Sequence, residues 1–208
     1  MRRGWLAPLT GVVFVVLVVI AFSIAGEPPE ADSSSQEIVD FYVDNKDSVS
    51  TGAFVATLAV LFLVFFANHL RRVLEAAGDA ALSATVLVGA AMMAVGVAID
   101  STISLALAQA AEDIEATSVQ TLQALWDNDF LPIALGTVVF LISAGISIVR
   151  TAAVPRWLGW VALVLAVLGV TPLGFVAFLG AGVWILVVSV VLALRARRAD
   201  ATPTSARA

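Results

Sequence analysis

The sequence predicts an all-α protein, a polytopic bundle of six transmembrane helices with one short extracellular amphipathic helix. Three observations predict it: the composition, the length of the apolar blocks and the placement of the arginines. The 208 residues are 61% hydrophobic and only 13% charged, whereas soluble domains average about 25% charged residues. The apolar residues form blocks that are long enough to cross a bilayer, which takes about 20 residues per helix. We therefore predict a single membrane domain over residues 1–198.

The first apolar block, Leu6 to Ala25, follows two arginines and predicts a helix over residues 6–26. Its Ser23-Ile24-Ala25 run resembles the small-x-small cleavage site of a signal peptide. However, an apolar run of about 20 residues exceeds the usual signal-peptide core of about 7–15. We expect an uncleaved anchor helix, and cleavage stays the alternative.

Residues 27–49 are polar and acidic, and predict an extracellular loop with a short helix from about Gln36 to Lys46. Ser34 and Glu37 have the spacing of a capping box, in which each side chain satisfies a backbone donor at a helix start. One face of this helix has apolar residues at helical spacing: Ile38, Phe41 and Tyr42. That face is expected to lie on the membrane surface or on neighbouring helices.

The next three apolar blocks predict helices over residues 50–70, 80–111 and 130–150. Between the first two, Gly78 is typical of a helix stop and Asp79 of a helix N-cap. Asp127 is expected to be the N-cap of the helix over residues 130–150.

The last apolar block, Trp157 to Leu194, is too long for one span. A straight helix of about 38 residues would measure about 57 Å, against a hydrocarbon core of about 30 Å. The run from Gly169 to Gly174 contains Pro172, which removes a backbone donor and breaks a helix. We predict two helices, 155–171 and 173–195, and a disordered cytoplasmic tail over residues 199–208.

The charges predict the topology independently of the apolar blocks. If alternate loops lie inside, one side carries Lys46 alone and the other carries Arg2, Arg3, Arg71, Arg72, Arg150, Arg156, Arg195, Arg197, Arg198 and Arg207. This is the positive-inside pattern, so we expect a multi-pass protein of the cell (plasma) membrane with both termini in the cytoplasm. The arginines are expected to contact anionic lipid headgroups. No nucleic-acid partner is indicated, and a protein partner or a homo-oligomer stays open.

Asp100 is the only acidic residue inside an apolar block. An ionisable side chain in a membrane is costly, and by default it marks a proton or ion site. The structural alternative places Asp100 near the outer interface, where it would bond Ser104, Thr137 or water. Both interpretations stay open, so the candidate intramembrane polar site is Asp100, Ser104 and Thr137.

Small residues also recur on the same block at four-residue spacing: Ala90, Ala94, Ala98, Thr102, Ala106 and Ala110. Such a stripe lets another helix approach closely. Gly89, Met93, Gly96 and Ser104 share a different face with Asp100. Two packable faces predict a central helix in the bundle.

The remaining residues with chemical potential do not form a site. His69 is the only histidine and there is no cysteine, so no zinc or haem ligand set is expected. Ser147 lies in a G-x-S-x run and would need a histidine at its own depth on a partner helix. His69 is also cytoplasmic, but it stands alone next to charged residues, which argues against a serine nucleophile. The acidic residues around Asp127 and Asp129 would hold a divalent cation only weakly. We expect no catalytic residues, no cofactor and no metal.

The run Val154-Pro155-Arg156-Trp157-Leu158-Gly159-Trp160, followed by two apolar helices and a basic tail, resembles a group of small bacterial membrane proteins. These are six-helix proteins grouped under a domain of unknown function, and the resemblance covers most of the chain. It implies architecture but no chemistry.

Because no catalytic constellation is present, the sequence favours a non-enzymatic bundle with a structural, accessory or partner-binding role. The alternative is a small solute or proton-coupled carrier that uses Asp100. A lipid-modifying enzyme is third, since neither a nucleophile nor a base can be named for it.

Overall fold

A computed structural model describes residues 4–171 and 174–201, and within these residues the secondary structure is entirely helical. A 3-10 helix, Gly4–Leu9, leads into the first α-helix. The α-helices are α1 Thr10–Ala25, α2 Ser35–Asp44, α3 Lys46–Ala76, α4 Ala80–Ala110, α5 Ala116–Asn128, α6 Leu131–Thr151, α7 Arg156–Gly169 and α8 Gly174–Ala201.

Local sequence signals set several helix boundaries. Ser34 begins α2 by accepting a hydrogen bond from the Glu37 backbone N–H at 3.2 Å, as the capping-box spacing predicts. Asp79 begins α4 by accepting from the Leu82 backbone N–H at 3.3 Å. Gly78, which precedes it, has φ +103°, a left-handed conformation that glycine adopts without strain.

Five helical segments of the described chain are long and apolar enough to cross a membrane. They are Trp5–Ala25, Lys46–Ala76, Ala80–Ala110, Ala116–Thr151 and Gly174–Ala199. Helix α7 is also apolar but has only 14 residues. The fold is thus a helical bundle with the length and composition of a membrane protein.

The six apolar helices form a closed ring in the order α1, α3, α4, α6, α7, α8, with α8 returning to α1. Large buried side chains fill the interior of the ring, among them Phe66, Phe140, Trp184 and Ile185. Phe140 and Trp184 meet edge to face with ring centroids 5.9 Å apart. The Trp184 indole N–H donates to the Leu158 carbonyl oxygen at 2.8 Å, so this buried polar group is satisfied.

Glycines bring the backbones of neighbouring helices together. A Cβ atom added at Gly89 would lie 2.4 Å from the Phe140 backbone nitrogen, and one added at Gly136 would lie 2.5 Å from that of Met93. Between α6 and α7, Cβ atoms at Gly145 and Gly159 would each lie within 2.9 Å of the other residue's carbonyl oxygen. Helices α4, α6 and α7 therefore pack with no room for a side chain at these points.

The two ends of the bundle differ in charge. At one end Arg150 pairs with Asp79 at 3.7 Å, and the Arg197 guanidinium lies 5.6 Å from the centroid of the Trp5 ring. Arg195 donates to the carbonyl oxygen of Ala153. The opposite end is covered by α2 and α5, which pack on each other and which we call the α2–α5 cap.

Several helices of the structure differ from the sequence prediction. Residues 116–128 form α5, where no helix was predicted, so Asp127 lies inside a helix and does not cap α6, whose N-cap is Phe130. Helix α8 continues through Ala201, so residues 199–201 are helical and not part of a disordered tail. The breaker Pro172, the N-terminal arginines and residues 202–208 lie outside the described residues.

The stripe of small residues on α4 does not mediate close helix packing along its length. Ala98, Thr102 and Ala106 are exposed, and with Val95 and Ile99 the first two line a shallow groove on the surface of the bundle. The face that carries Gly89 and Gly96 makes the close approach to α6 instead. Helix α4 is therefore one member of the ring, between α3 and α6, and not a central helix.

Candidate functional site

A cavity of about 90 Å³ lies beneath the α2–α5 cap. The C-terminal end of α1, the N-terminal half of α3 and the C-terminal half of α4 form its walls, and residues of α2 and α5 close it. A space of this size accommodates several water molecules or a small ligand. Its lining includes an ionisable side chain, Asp100, from the apolar helix α4.

Asp100 and Ser104 both line this cavity from α4. They are one helical turn apart, and residues four apart lie on the same helix face. Asp100 is half-buried, and no ion pair in the described part of the chain includes it. Its carboxylate thus lines the cavity without a basic partner among the described residues.

Aromatic side chains form much of the rest of the wall. Phe22 comes from α1, Phe41 and Tyr42 from α2, and Trp126 from α5. Phe41 and Tyr42 meet edge to face, with centroids 5.3 Å apart. Phe22 is mostly exposed whereas Tyr42 is buried, so the aromatic lining runs from the surface of the bundle to its interior.

The indole N–H of Trp126 is a polar group without a protein acceptor of good geometry. It lies toward the Asp100 carboxylate, yet within the described residues the buried Nε1 atom completes no hydrogen bond. A buried donor left without an acceptor costs free energy. The cavity thus contains one unpaired carboxylate and one incompletely satisfied donor.

The α2–α5 cap is fastened by polar contacts. The Tyr42 hydroxyl donates to Gln123 Oε1 at 2.7 Å, and Gln123 Nε2 donates to Asp127 Oδ1 at 2.9 Å. The second oxygen of Asp127 accepts from the Ala31 backbone N–H at 2.9 Å, and Gln120 donates to the carbonyl oxygens of Ala31 and Ser33. This network ties the segment before α2 to α5.

Burial raises the pKa of the Tyr42 hydroxyl well above its ordinary value of 10.0, and the negative charge of Asp127 raises it further. The charge of Asp100 acts in the same direction. The hydroxyl therefore stays protonated and available as the donor to Gln123 at neutral pH.

The structure brings together two of the three residues predicted for the site. Thr137 does not line the cavity, because its hydroxyl donates to the Ile133 carbonyl oxygen of its own helix at 2.8 Å. Sequence reasoning missed Trp126 and Tyr42 as site residues. The helical spacing of Ile38, Phe41 and Tyr42 was a signal for the buried face of α2, but not for its position over Asp100.

The other candidates lie elsewhere. His69 is half-buried on α3 and Ser147 is fully buried on α6, and neither lines the cavity. The described residues contain no group of three or more histidine, cysteine, aspartate or glutamate side chains positioned to hold a metal ion. Asp127 takes part in cap contacts instead.

No family model, no curated protein and no solved structure matches the chain.

Proposed function

We propose that this chain is a non-enzymatic bundle of the plasma membrane with a structural, accessory or partner-binding role. The closed and filled ring supports this role. Its interior is occupied by fully buried side chains such as Phe66, Phe140 and Ile185, and glycines hold α4, α6 and α7 in backbone contact. Such close packing resists the rocking of one half against the other that alternating access requires.

The proposal includes six spans with both termini in the cytoplasm. The clustering of Arg150, Arg195 and Arg197 at one end supports this orientation, because arginine-rich ends stay inside. Helix α7, at 14 residues, would measure about 21 Å. It crosses the apolar layer only if the bilayer thins locally or the flanking residues contribute. The resemblance to small six-helix bacterial membrane proteins fits the same arrangement.

The position of Asp100 fits an interfacial rather than a midplane site. It lies about 30 Å along α4 from Asp79, at 1.5 Å per residue, and Asp79 is at the arginine end of the bundle. A span of that length equals the thickness of the hydrocarbon core. Asp100 would then lie at the outer boundary, under the α2–α5 cap.

The test is purification from native membranes after mild crosslinking, followed by reconstitution. We expect a stable protein partner or a defined homo-oligomer and no solute flux in liposomes. Recovery of a solitary chain that conducts a measurable flux would overturn the proposal. A parallel preparation of the Gly89→Ala variant, in which the ring is disturbed, controls for non-specific association of unfolded chains.

The cavity beside Asp100 favours a second candidate, a small solute or proton-coupled carrier. Its specific support is a membrane-helix carboxylate that faces a hollow without a basic partner. For a carrier, Asp100→Asn would abolish flux while expression stays unchanged. Flux that persists in Asp100→Asn would end this candidate.

A further inference from the structure

The chemistry of the cavity under the α2–α5 cap identifies a class of ligand. We infer that it binds the positively charged head of an organic cation, an alkylammonium or quaternary ammonium group, between the Asp100 carboxylate and the surrounding aromatic rings. The inference rests on the membrane-bundle part of the proposed function and is independent of whether the bundle serves a partner or carries a solute.

The first argument is the wall itself. Four aromatic side chains, Phe22, Phe41, Tyr42 and Trp126, line the same hollow as Asp100. The faces of aromatic rings attract cations within about 6 Å of the ring centroid, tryptophan most strongly, and cages of such rings recognise quaternary ammonium groups. A carboxylate supplies the counter-charge that rings alone lack.

The second argument is the unmet charge. In the described part of the chain no lysine, arginine or histidine pairs with Asp100, and a half-buried carboxylate without a cation is costly. Apart from the Ser104 hydroxyl, the remaining lining is apolar, with small residues such as Ala21, Gly52 and Ala53. These cannot solvate an inorganic ion through oxygen ligands, as alkali and divalent cations require, but they suit the methyl or methylene groups of an organic cation.

The third argument is the field around the cavity. The segments that cover it, residues 27–49 and 112–130, carry Lys46 as their single basic residue. Their acidic residues are Glu27, Glu30, Asp32, Glu37, Asp40, Asp44, Asp47, Glu112, Asp113, Glu115, Asp127 and Asp129. Charge of one sign around a cleft raises the local concentration of the opposite ion. The cavity therefore lies at the end of the bundle where cations accumulate.

The cavity volume limits the size of the bound group. About 90 Å³ suits a trimethylammonium head and not a large polycyclic cation. The exposed Phe22 at the wall places the mouth on the outer surface of α1, so a substituent on the cation can extend outward. A free organic cation and a lipid headgroup present the same charged group to Asp100.

The experiment is calorimetric titration of the full chain with choline, and with 3,3-dimethyl-1-butanol, its neutral carbon analogue. We expect saturable choline binding, with the analogue at least about tenfold weaker. Asp100→Asn should weaken choline binding about tenfold or more, and Trp126→Leu about 3- to 20-fold. Glu75→Gln, which removes an exposed carboxylate at the arginine end of the bundle, should leave the affinity unchanged.

Nanodiscs distinguish the two sources of the cation. If lipid headgroups occupy the cavity, choline binds more weakly in phosphatidylcholine than in phosphatidylglycerol nanodiscs; equal affinity in both assigns the site to a free cation. Equal binding of choline and its analogue, wild-type affinity in Asp100→Asn, or no saturable choline binding in phosphatidylglycerol would overturn the inference. If Asp100→Asn does not fold, wild-type choline affinity in Trp126→Leu would overturn the inference. Failure of choline binding would not affect the proposed partner-binding role, which the crosslinking experiment tests separately.

Discussion

Tyr42 and Gln123 are both buried, and the tyrosine hydroxyl donates to the amide oxygen at 2.7 Å. This bond joins α2 to α5 over the cavity, although the two residues are 81 positions apart. Gln123 also donates a hydrogen bond from Nε2 to Asp127 Oδ1. One buried side chain from each helix thus forms a direct hydrogen bond across the α2–α5 cap.

Tyr42→Phe removes the donor but keeps the ring. We expect a loss of about 1–3 kcal/mol in the free energy of unfolding, because Gln123 Oε1 is left buried without a partner. Reversible unfolding in detergent measures the change. Thr121→Val is the control, since the Thr121 hydroxyl is exposed and donates only to Thr117 of its own helix. Equal stability of Tyr42→Phe and the wild type would show that the bond contributes nothing.

Tyr42 also predicts a pH dependence. Burial, Asp127 and Asp100 raise its pKa in the folded chain above the ordinary 10.0. A raised pKa means that the folded state favours the protonated hydroxyl. The contribution of Tyr42 to the free energy of unfolding is therefore fully present below pH 10 and is lost as the pH rises through the folded-state pKa. Tyr42 is the only tyrosine of the chain, so tyrosinate absorbance titrates it directly. We expect its midpoint above 10.0 in the folded protein and near 10.0 after denaturation; identical midpoints would contradict the burial.

Close packing between α4 and α6 predicts a contrast between two glycines. A Cβ at Gly89 meets the Phe140 backbone at 2.4 Å, whereas one at Gly182 has nothing within 4 Å. Backbone cannot move aside as a side chain does, so Gly89→Ala should destabilise the bundle by about 1–3 kcal/mol. Gly182→Ala should be neutral or slightly stabilising, because alanine favours helix. Thermal aggregation midpoints in detergent compare them, and equal midpoints would refute the contact.

The sequence predicted the helical class and the starts of α2 and α4, because apolar block length and capping residues such as Ser34 and Asp79 act locally. It did not predict α5. Residues 112–129 mix polar and apolar side chains, and no helix was named there. The signal was present in Val119, Leu122 and Trp126, which recur at helical spacing and pack toward α2 as a small second core.

The arrangement of the site depended on contacts that no local pattern encodes. Asp100 was recognisable because a lone acid in an apolar block is unusual, and Ser104 followed from its helical spacing. Thr137 was placed with them as a hydrogen-bonding residue on a neighbouring span, but it bonds its own helix. Trp126 reached the cavity only through the unpredicted α5. Likewise, small residues such as Ala98 permit close approach without requiring it.

Asp79 has two roles that substitution separates. It caps α4 through Leu82 and pairs with Arg150 at 3.7 Å. Asp79→Ala loses both and should cost about 1 kcal/mol in stability, mainly through the cap. Asp79→Asn keeps the cap and should stay close to the wild type. Asp79 itself is buried, but the Arg150 side chain is largely exposed and 3.7 Å away, and an ion pair with a solvated partner contributes little. The free energies of unfolding of the two variants distinguish the two roles. An equal loss in both would assign the contribution of Asp79 to the ion pair.

The absence of cysteine from the sequence makes single introduced cysteines a clean test of the six-span topology. With both termini inside, cysteines at Asp32 on the cap and at Thr171 between α7 and α8 should react with a membrane-impermeant maleimide in intact cells. One at Arg198 should react only after lysis, because α8 returns the chain to the cytoplasmic side. If α7 did not cross the membrane, Thr171 and Arg198 would exchange these behaviours while Asp32 kept its own, so this trio distinguishes five spans from six.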